Sequence, residues 1–502
     1  MNDVAVSQPD GASPAGGTPG VNDAAVSQPD GAFATCDQNN GGCDPRVTCQ
    51  VVSHAPVCGP CPLGYAGNGH DGCKRYFGAQ LGLGAPGYED VKMYGVGSDP
   101  AGNVFVVAST TGKVGAASYG ADDVVLVKLD TAGAPVWVRQ FGSSGSDDPY
   151  AVVVDDSGNA YVTGATSGDI DGSGRTGSTD AFVAKFDSGG TMQWLHRINA
   201  TAYAYPAAAS VDPSGGILVA GWGYGTFEDP GDGTLDGFLA KYDPGGTKLW
   251  SRTVSLPVSS EILTTGSLAV DKDGNSYVGV EATAFVADPP PQTLFVSQID
   301  PQGLDKWTQT ITAPGGVWGG QIAVDGAGGV YVGGSAKGAP HLGDDGDAGL
   351  GRDAGAGDTS VPFVAKLDTT GSRLWLRQLP ASLGFTQILG APTGVYSGGS
   401  TTSVVPGGSG AGSDDLSVAR FDASGSIVWA AQFGTQKSDT GGYIASAPGG
   451  GVYLGGNTRG AIDDLKNPGG IDFFVMRYDG SGERGVLSKS GVHPPADSGT
   501  AL

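Results

Sequence analysis

The stretch YAVVVDDSGNAYVTGATSGDIDGSGRTGSTDAFVAKFDSGGTMQWLHRI, residues 150–198, decides the fold. It opens on a run of Val and Ala that ends in Asp-Asp-Ser-Gly (Asp155–Gly158), continues through NAYVTG, and after a polar loop enters DAFVAKFD. A second Asp-x-x-Gly (Asp187–Gly190) then leads into MQWLHRI. Asp at the first turn position accepts backbone hydrogen bonds, and Gly at the fourth tolerates a left-handed backbone. The segment therefore reads as four short strands, A to D, with tight A–B and C–D turns and a long B–C loop.

Working outward, the second turn recurs as Asp130–Gly133, Asp187–Gly190, Asp243–Gly246, Asp300–Gly303, Asp368–Gly371, Asp422–Gly425 and Asp479–Gly482. Four residues after each glycine stands Trp137, Trp194, Trp250, Trp307, Trp375 or Trp429, and Val486 in the last copy. The first turn recurs as Asp99–Gly102, Asp155–Gly158, Asp212–Gly215, Asp271–Gly274 and Asp325–Gly328; copies six and seven keep Pro392 with Gly394 and Pro448 with Gly449. Seven copies of a four-stranded antiparallel unit predict an all-β, seven-bladed β-propeller over residues 75–491. Residues 77–82 align with the D-type strand at 137–142, so an early strand is expected to complete the last blade and remove exposed edges, with residues 486–491 competing for that place.

Asn159–Gly164 together with Asp180–Asp187 resemble a bacterial β-propeller repeat family whose units read GNxYVTGxT, then DAFVAKxD, then a Trp-bearing strand. The resemblance implies secreted or surface proteins with no shared enzymatic activity. Ahead of the repeats, the six cysteines, Cys36, Cys43, Cys49, Cys58, Cys61 and Cys73, lie in CDQNNGGCDPRVTCQVVSHAPVCGPCPLGYAGNGHDGC. Spacing alone leaves 15 pairings open. The NNGGC run and the CPLGYAGNGHDGC ending resemble an EGF-like module of the thrombospondin type, placed at residues 35–74. That resemblance implies the disulfides Cys36–Cys49, Cys43–Cys58 and Cys61–Cys73. Ala32 to Thr35 stand where calcium-binding modules of this type carry acidic or amide residues, so calcium is not expected there.

Residues 1–34 hold a tandem repeat, NDVAVSQPDGA from Asn2 and NDAAVSQPDGA from Asn22, in a composition too poor in apolar residues to fold. Residues 492–502 read as a second disordered tail. Clustered cysteines imply an oxidising compartment. We expect an extracellular or cell-surface protein, with a secretion signal or lipid anchor upstream of Met1. No apolar run is long enough to span a membrane as a helix. With 27 basic against 51 acidic residues the net charge is −24, which excludes a nucleic-acid partner.

A–B and C–D turns share one face of such a propeller, and the longer B–C and D–A connections share the other. Ligands are expected on the long-loop face. Trp222, with Tyr224 and Phe227 in the third B–C loop, and Trp318 in the fifth D–A connection break the repeat. They are candidates for stacking on a polysaccharide or anchoring a protein, against the plainer role of packing a loop. Asp169, Asp171, Ser173 and Asp180, with Gly174 at the sixth position, echo a calcium loop, although Arg175 and Gly177 stand where further ligands belong and Asp180 also begins a strand. Calcium is weighed there against a solvated acidic loop; no cofactor is required. The repeated cations Lys128, Lys185, Lys241, Lys366, Arg420 and Arg477 are expected to pair with strand-A or turn carboxylates.

The five histidines are scattered without metal-ligand spacing. The expectation is a non-catalytic binding or adhesion protein. The alternatives are a structural envelope component and a propeller enzyme, either a polysaccharide lyase or a quinoprotein-like dehydrogenase.

Overall fold

The computed structural model describes residues 91–485, apart from 115–117, 175–176, 199–200, 225–234, 255–261, 284–291, 343–359, 406–411 and 461–470. Before residue 91 it describes 36, 43, 48–52, 55–58, 65–66, 74–75 and 78–81. The chain divides into two compact units between Cys73 and Lys74.

The tight turns form as the sequence demands. In blade 2 the Gly158 amide donates to the Asp155 carbonyl at 2.9 Å. The Asp155 carboxylate accepts the amides of Ser157 and Asn159 at 3.0 and 2.8 Å. Gly158 sits at φ +77°. Strands Asp147–Val154, Ala160–Thr166, Asp180–Phe186 and Met192–Ile198 follow from these turns and pair as consecutive antiparallel neighbours. The same order recurs in seven sheets. Strands B and C of blade 2 are buried at every residue because neighbouring blades cover both faces, so they are mostly apolar, with Thr163, Thr166, Asp180 and Lys185 as buried polar exceptions.

The strand-D tryptophans tie each blade to the next. The Trp137 indole N–H donates to the Ser188 carbonyl at 3.2 Å, and Trp250 reaches Pro301 at 3.0 Å. Trp194, Trp307, Trp375 and Trp429 make the equivalent bond to the C–D turn of the following blade.

The ring closes twice over. Gly78–Leu81 pairs antiparallel with Asp472–Tyr478 as the fourth strand of blade 7. Residues 486–491 lie outside the described residues. Blade 7 also grips blade 1: the Tyr453 hydroxyl donates to the Gly102 carbonyl at 2.9 Å, and Asn457 Oδ1 accepts the Met93 amide at 2.7 Å.

One blade departs from four strands. Blade 4 carries a fifth, His341–Leu342, which pairs with the outer strand Asp305–Thr312. This pair begins the longest B–C insertion, that of blade 5, which uses the open edge of its neighbour.

In the first unit, Cys36–Cys49 and Cys43–Cys58 are disulfides. Cys49–Val52 pairs with Ala55–Cys58. Cys61 and Cys73 fall outside the described residues. No described helix is long and apolar enough to cross a membrane.

Candidate functional site

The A strands contact one another in succession round a closed ring and so wall the central channel. In six blades the A–B ladder is interrupted at the same place by a bulge. The bulged residues are Tyr94, Tyr150, Ala207, Gly266, the pair Gly319–Gly320, and Gly442. A position that accepts Ala or Gly in four blades does not need tyrosine in the other two. Bulges re-aim side chains and concentrate beside sites.

Just before the bulge lies a second variable ring, held by Lys92, Asp148, Tyr205, Thr264, Trp318 and Thr440. In blade 3 its register partner is Trp222, and the last pair of that hairpin is Tyr203 with Tyr224. This pair lies at the end of the hairpin away from its turn, Asp212–Gly215, which places it on the long-loop side.

The rings in blade 3 meet. Tyr205 and Trp222 lie 5.0 Å apart between centroids, and Tyr203 is 6.2 Å from Trp222. Tyr203 stacks on Tyr224 at 6.0 Å. Tyr150 of blade 2 joins the group 6.4 Å from Tyr205. Tyr150 and Tyr224 are 37% and 44% exposed, so the cluster is a wall and not a core. Burial, then Asp148, Tyr205 and Tyr94, push the Tyr150 phenol up to about 12, which keeps it a proton donor. Burial, then Asp122 and Asp147, raise the Asp148 carboxyl against the pull of Lys92. Lys92 Nζ lies 4.9 Å over the Tyr94 ring.

Trp222 and Tyr224 were expected in a loop but belong to strand B, Ile217–Tyr224, which runs further than the repeat suggests. Trp318 likewise belongs to strand A, Val317–Val324, and not to the connection before it. Its indole folds back over Gly316, where a Cβ would come within 3.1 Å. Among the described residues no ring contact joins Trp318 to the Trp222 group. Phe227 lies outside the described residues.

The Asp169–Asp180 loop gathers around a side chain the sequence reading had not placed there. Arg197, from strand D of the same blade, meets Asp171 at 2.9 Å and Asp180 at 3.1 Å. It also donates to the Ser173 hydroxyl and the Gly174 carbonyl. Asp169 accepts the Gly174 amide at 3.0 Å. The guanidinium thus stands where the calcium reading places a cation. Burial would raise Asp171, but bonds from Ser173 and Arg197 outweigh it and hold its carboxyl below the usual range. No group of three or more His, Cys, Asp or Glu among the described residues is arranged to hold a metal.

The strand-C cations divide. Lys241 and Lys366 pair with the turn carboxylates Asp212 and Asp325 at 2.8 and 2.9 Å. Lys128, Lys185 and Arg420 instead donate to turn carbonyls of the next blade, and Arg477 donates to the Pro448 carbonyl. The expected pairing with carboxylates thus holds for two of the six, and the other four bind turn carbonyls.

On the short-turn face a cavity of about 480 Å³ opens between blades 2, 3 and 4, lined by Asp155, Asp212 and Asp271 among others. Those three carboxylates are spent on their own turns.

A family model described as a beta-propeller repeat matches residues 136–171. These residues run from strand D of blade 1 into the B–C loop of blade 2, so the sequence unit is offset from the blade. No curated protein matches the chain. Among solved structures, puromycin hydrolase is 14% identical with a TM-score of 0.45; the match covers 80% of this chain and 54% of the hydrolase. The β-propeller domain of the Trilobed protease from Pyrococcus furiosus is 9% identical at TM-score 0.43, over 81% of this chain and 97% of that domain. Hadza microbial sialidase is 14% identical at TM-score 0.39, over 71% and 73%. What stands is a seven-bladed propeller of four-stranded antiparallel blades that contains a beta-propeller repeat at residues 136–171.

Proposed function

We propose that the chain is a non-catalytic extracellular or cell-surface binding protein that takes its ligand at the long-loop mouth of the propeller. The observation that carries this reading is the contrast between blades at fixed register. The turns, the interblade tryptophans and the buried B and C strands repeat, whereas the two rings at the mouth change from tyrosine to glycine and from lysine to aspartate to tryptophan. Positions freed from scaffold duty are where recognition is built. The two disulfides are compatible with an oxidising compartment. The Arg197 guanidinium already answers the acidic loop of blade 2, which supports a site independent of calcium.

The propeller lacks cysteine, so single cysteines can carry a bulky maleimide polymer on either face. Thr402→Cys marks the long-loop face and Ser157→Cys the short-turn face; both residues are exposed. The probes are a glycan array, soluble polysaccharides and cell-envelope material, each with calcium and with EDTA. Binding blocked only by the Thr402 label, equal in both media, is the expected result. Blocking only by the Ser157 label would move the site to the other face.

One observation favours an enzymatic reading instead. Burial, then Asp122 and Asp147, raise the Asp148 carboxyl near the exposed Tyr150, and a carboxyl and a phenol together at an open mouth are the groups a general acid–base step uses. New reducing ends or unsaturated products appearing in the polysaccharide incubations would favour it.

A further inference from the structure

Five aromatic rings, Tyr150, Tyr203, Tyr205, Trp222 and Tyr224, form one contiguous wall at the channel mouth. Four of the five end in a hydroxyl. The backbone behind the pair is tightly packed, since a Cβ at Gly221 would meet the Tyr205 carbonyl and the Phe238 ring, which fixes the Trp222 strand against Tyr205. The wall therefore offers flat π-faces and phenol donors with little aliphatic surface. Asp148 and Lys92 occupy the matching register positions in the two preceding blades, so an acceptor and a donor border the aromatic patch.

Across the ring the equivalent bulge positions of blades 4, 5 and 7 are glycine. The aromatic rings thus gather on blades 2 and 3, while the bulge positions of blades 4, 5 and 7 carry no side chain, which leaves room for a chain to lie along the wall. The two central rings are paired in strand register and in contact at 5.0 Å, so little side-chain entropy remains to be lost on binding.

This pattern selects a chemistry. A pyranose ring presents a face of C–H bonds with partial positive charge, which matches the negative face of an aromatic ring. Its hydroxyls need both donors and acceptors, which phenols and a carboxylate supply. A hydrophobic peptide anchor would need a deep apolar pocket instead. The net charge of −24 acts against a polyanionic chain.

We propose that the long-loop mouth is a platform for a neutral or amino-sugar polysaccharide, with Tyr205 and Trp222 as the central stacking pair, Tyr203 and Tyr224 extending it outward, and Asp148 accepting a sugar hydroxyl. This rests on the reading that the long-loop face binds the ligand, and adds to it the ligand's class and the residues that hold it.

The test uses the full chain and three probes: cellohexaose, xylohexaose and chitohexaose, titrated by calorimetry. Tyr205→Ala and Trp222→Ala are compared with Tyr224→Ala, at the exposed end of the wall, and with Leu304→Ala, exposed on the short-turn face. Circular dichroism and melting confirm that each variant folds, and Tyr205→Phe keeps the ring if Tyr205→Ala does not. Saturable binding to at least one probe is expected. It should fall tenfold or more in Tyr205→Ala and Trp222→Ala, fall less in Tyr224→Ala, and stay unchanged in Leu304→Ala. Binding that survives the Tyr205 and Trp222 substitutions overturns the platform. Failure of all three probes also overturns it. If the chain still binds cell-envelope material through the long-loop face, the broader reading stands without the platform; if that is lost too, both fall.

Discussion

Gly190 stands at φ +83°, and the Trp137 indole lies 2.8 Å from where its Cβ would be. Gly246, Gly371, Gly425 and Gly482 meet the tryptophan of the preceding blade in the same way. The turn glycine therefore serves both the backbone and the blade interface, which explains why glycine and tryptophan recur at a fixed spacing. Gly190→Ala should cost roughly 1–3 kcal/mol for the left-handed backbone alone, with the indole clash added, and differential scanning fluorimetry would read it as a lowered Tm. Trp250→Phe keeps an aromatic wedge but removes the bond to Pro301, and should cost about 0.5–1.5 kcal/mol in a chemical denaturation.

Asp212 makes a different residue-scale case. Burial would raise its carboxyl, but bonds from Lys241, Ser214 and the Gly216 amide outweigh that and hold it below the usual range. The unfolded chain then binds its proton more readily than the folded one. The stability this group supplies is present above the unfolded value, about pH 4, and is lost as pH falls through its lower folded value. A pH series of melting temperatures should show a shallower acid decline in Asp212→Asn than in the parent. Asp212→Ala, which leaves Lys241 buried without its partner, should cost about 3–5 kcal/mol at neutral pH. Equal acid limbs in parent and Asp212→Asn would mean that other carboxylates govern the decline.

At the scale of the element, strands and turns were legible because each is written in residues that have few alternatives. Asp-x-x-Gly specifies a turn, and a doubly covered strand is mostly apolar. The bulges were not legible. An extra residue in strand A changes no composition, and Tyr94, Tyr150, Tyr203 and Tyr205 look like ordinary strand formers. Their signal appears only when blades are aligned by hydrogen-bond register, where Tyr94 and Tyr150 stand against Ala and Gly, and Tyr205 against Lys, Asp, Thr and Trp. Trp222 was singled out because it broke the repeat, but was placed in a loop because blade 3 extends its B strand beyond the repeat's usual end. Arg197 was passed over because strand-D arginines are common in this chain, and nothing local tells that this one turns into the acidic loop. The match of residues 77–82 with residues 137–142 suggested the closing strand but left residues 486–491 as a rival; Gly78–Leu81 takes the place, and it can be tested as an element. Replacing both Ala79 and Gln80 by proline removes ladder donors whichever way the strand alternates, so blade 7 should lose its outer strand. A lower Tm and self-association through the freed edge are expected by scanning fluorimetry and size-exclusion chromatography. An unchanged monomer would show that the Tyr453 and Asn457 bonds to blade 1 hold the ring alone.

At the scale of the whole molecule, two stabilising strategies are kept apart in the sequence. The first unit is too small for a substantial core and relies on cross-links, whereas the propeller buries dozens of apolar side chains and contains no cysteine. Cross-links act mainly on the unfolded state of the segment they close, here loops of 13 and 15 residues in the two described disulfides. Reduction should therefore unfold the first unit and leave the second untouched. Scanning calorimetry of the full chain with and without dithiothreitol should show one propeller transition at the same temperature in both. Limited proteolysis under reducing conditions should trim the chain to a fragment beginning near Lys74. A propeller transition that drops by more than about 2 °C on reduction, a shift equivalent to roughly 1.5–2 kcal/mol for a unit of this size, would mean that the cross-linked unit braces the ring. In that case removal of the first unit should lower the propeller's melting temperature by the same amount. If reduction leaves the transition in place, the propeller's stability resides in its own blades, and substitutions at the channel mouth can be interpreted as changes in binding without reference to the disulfides.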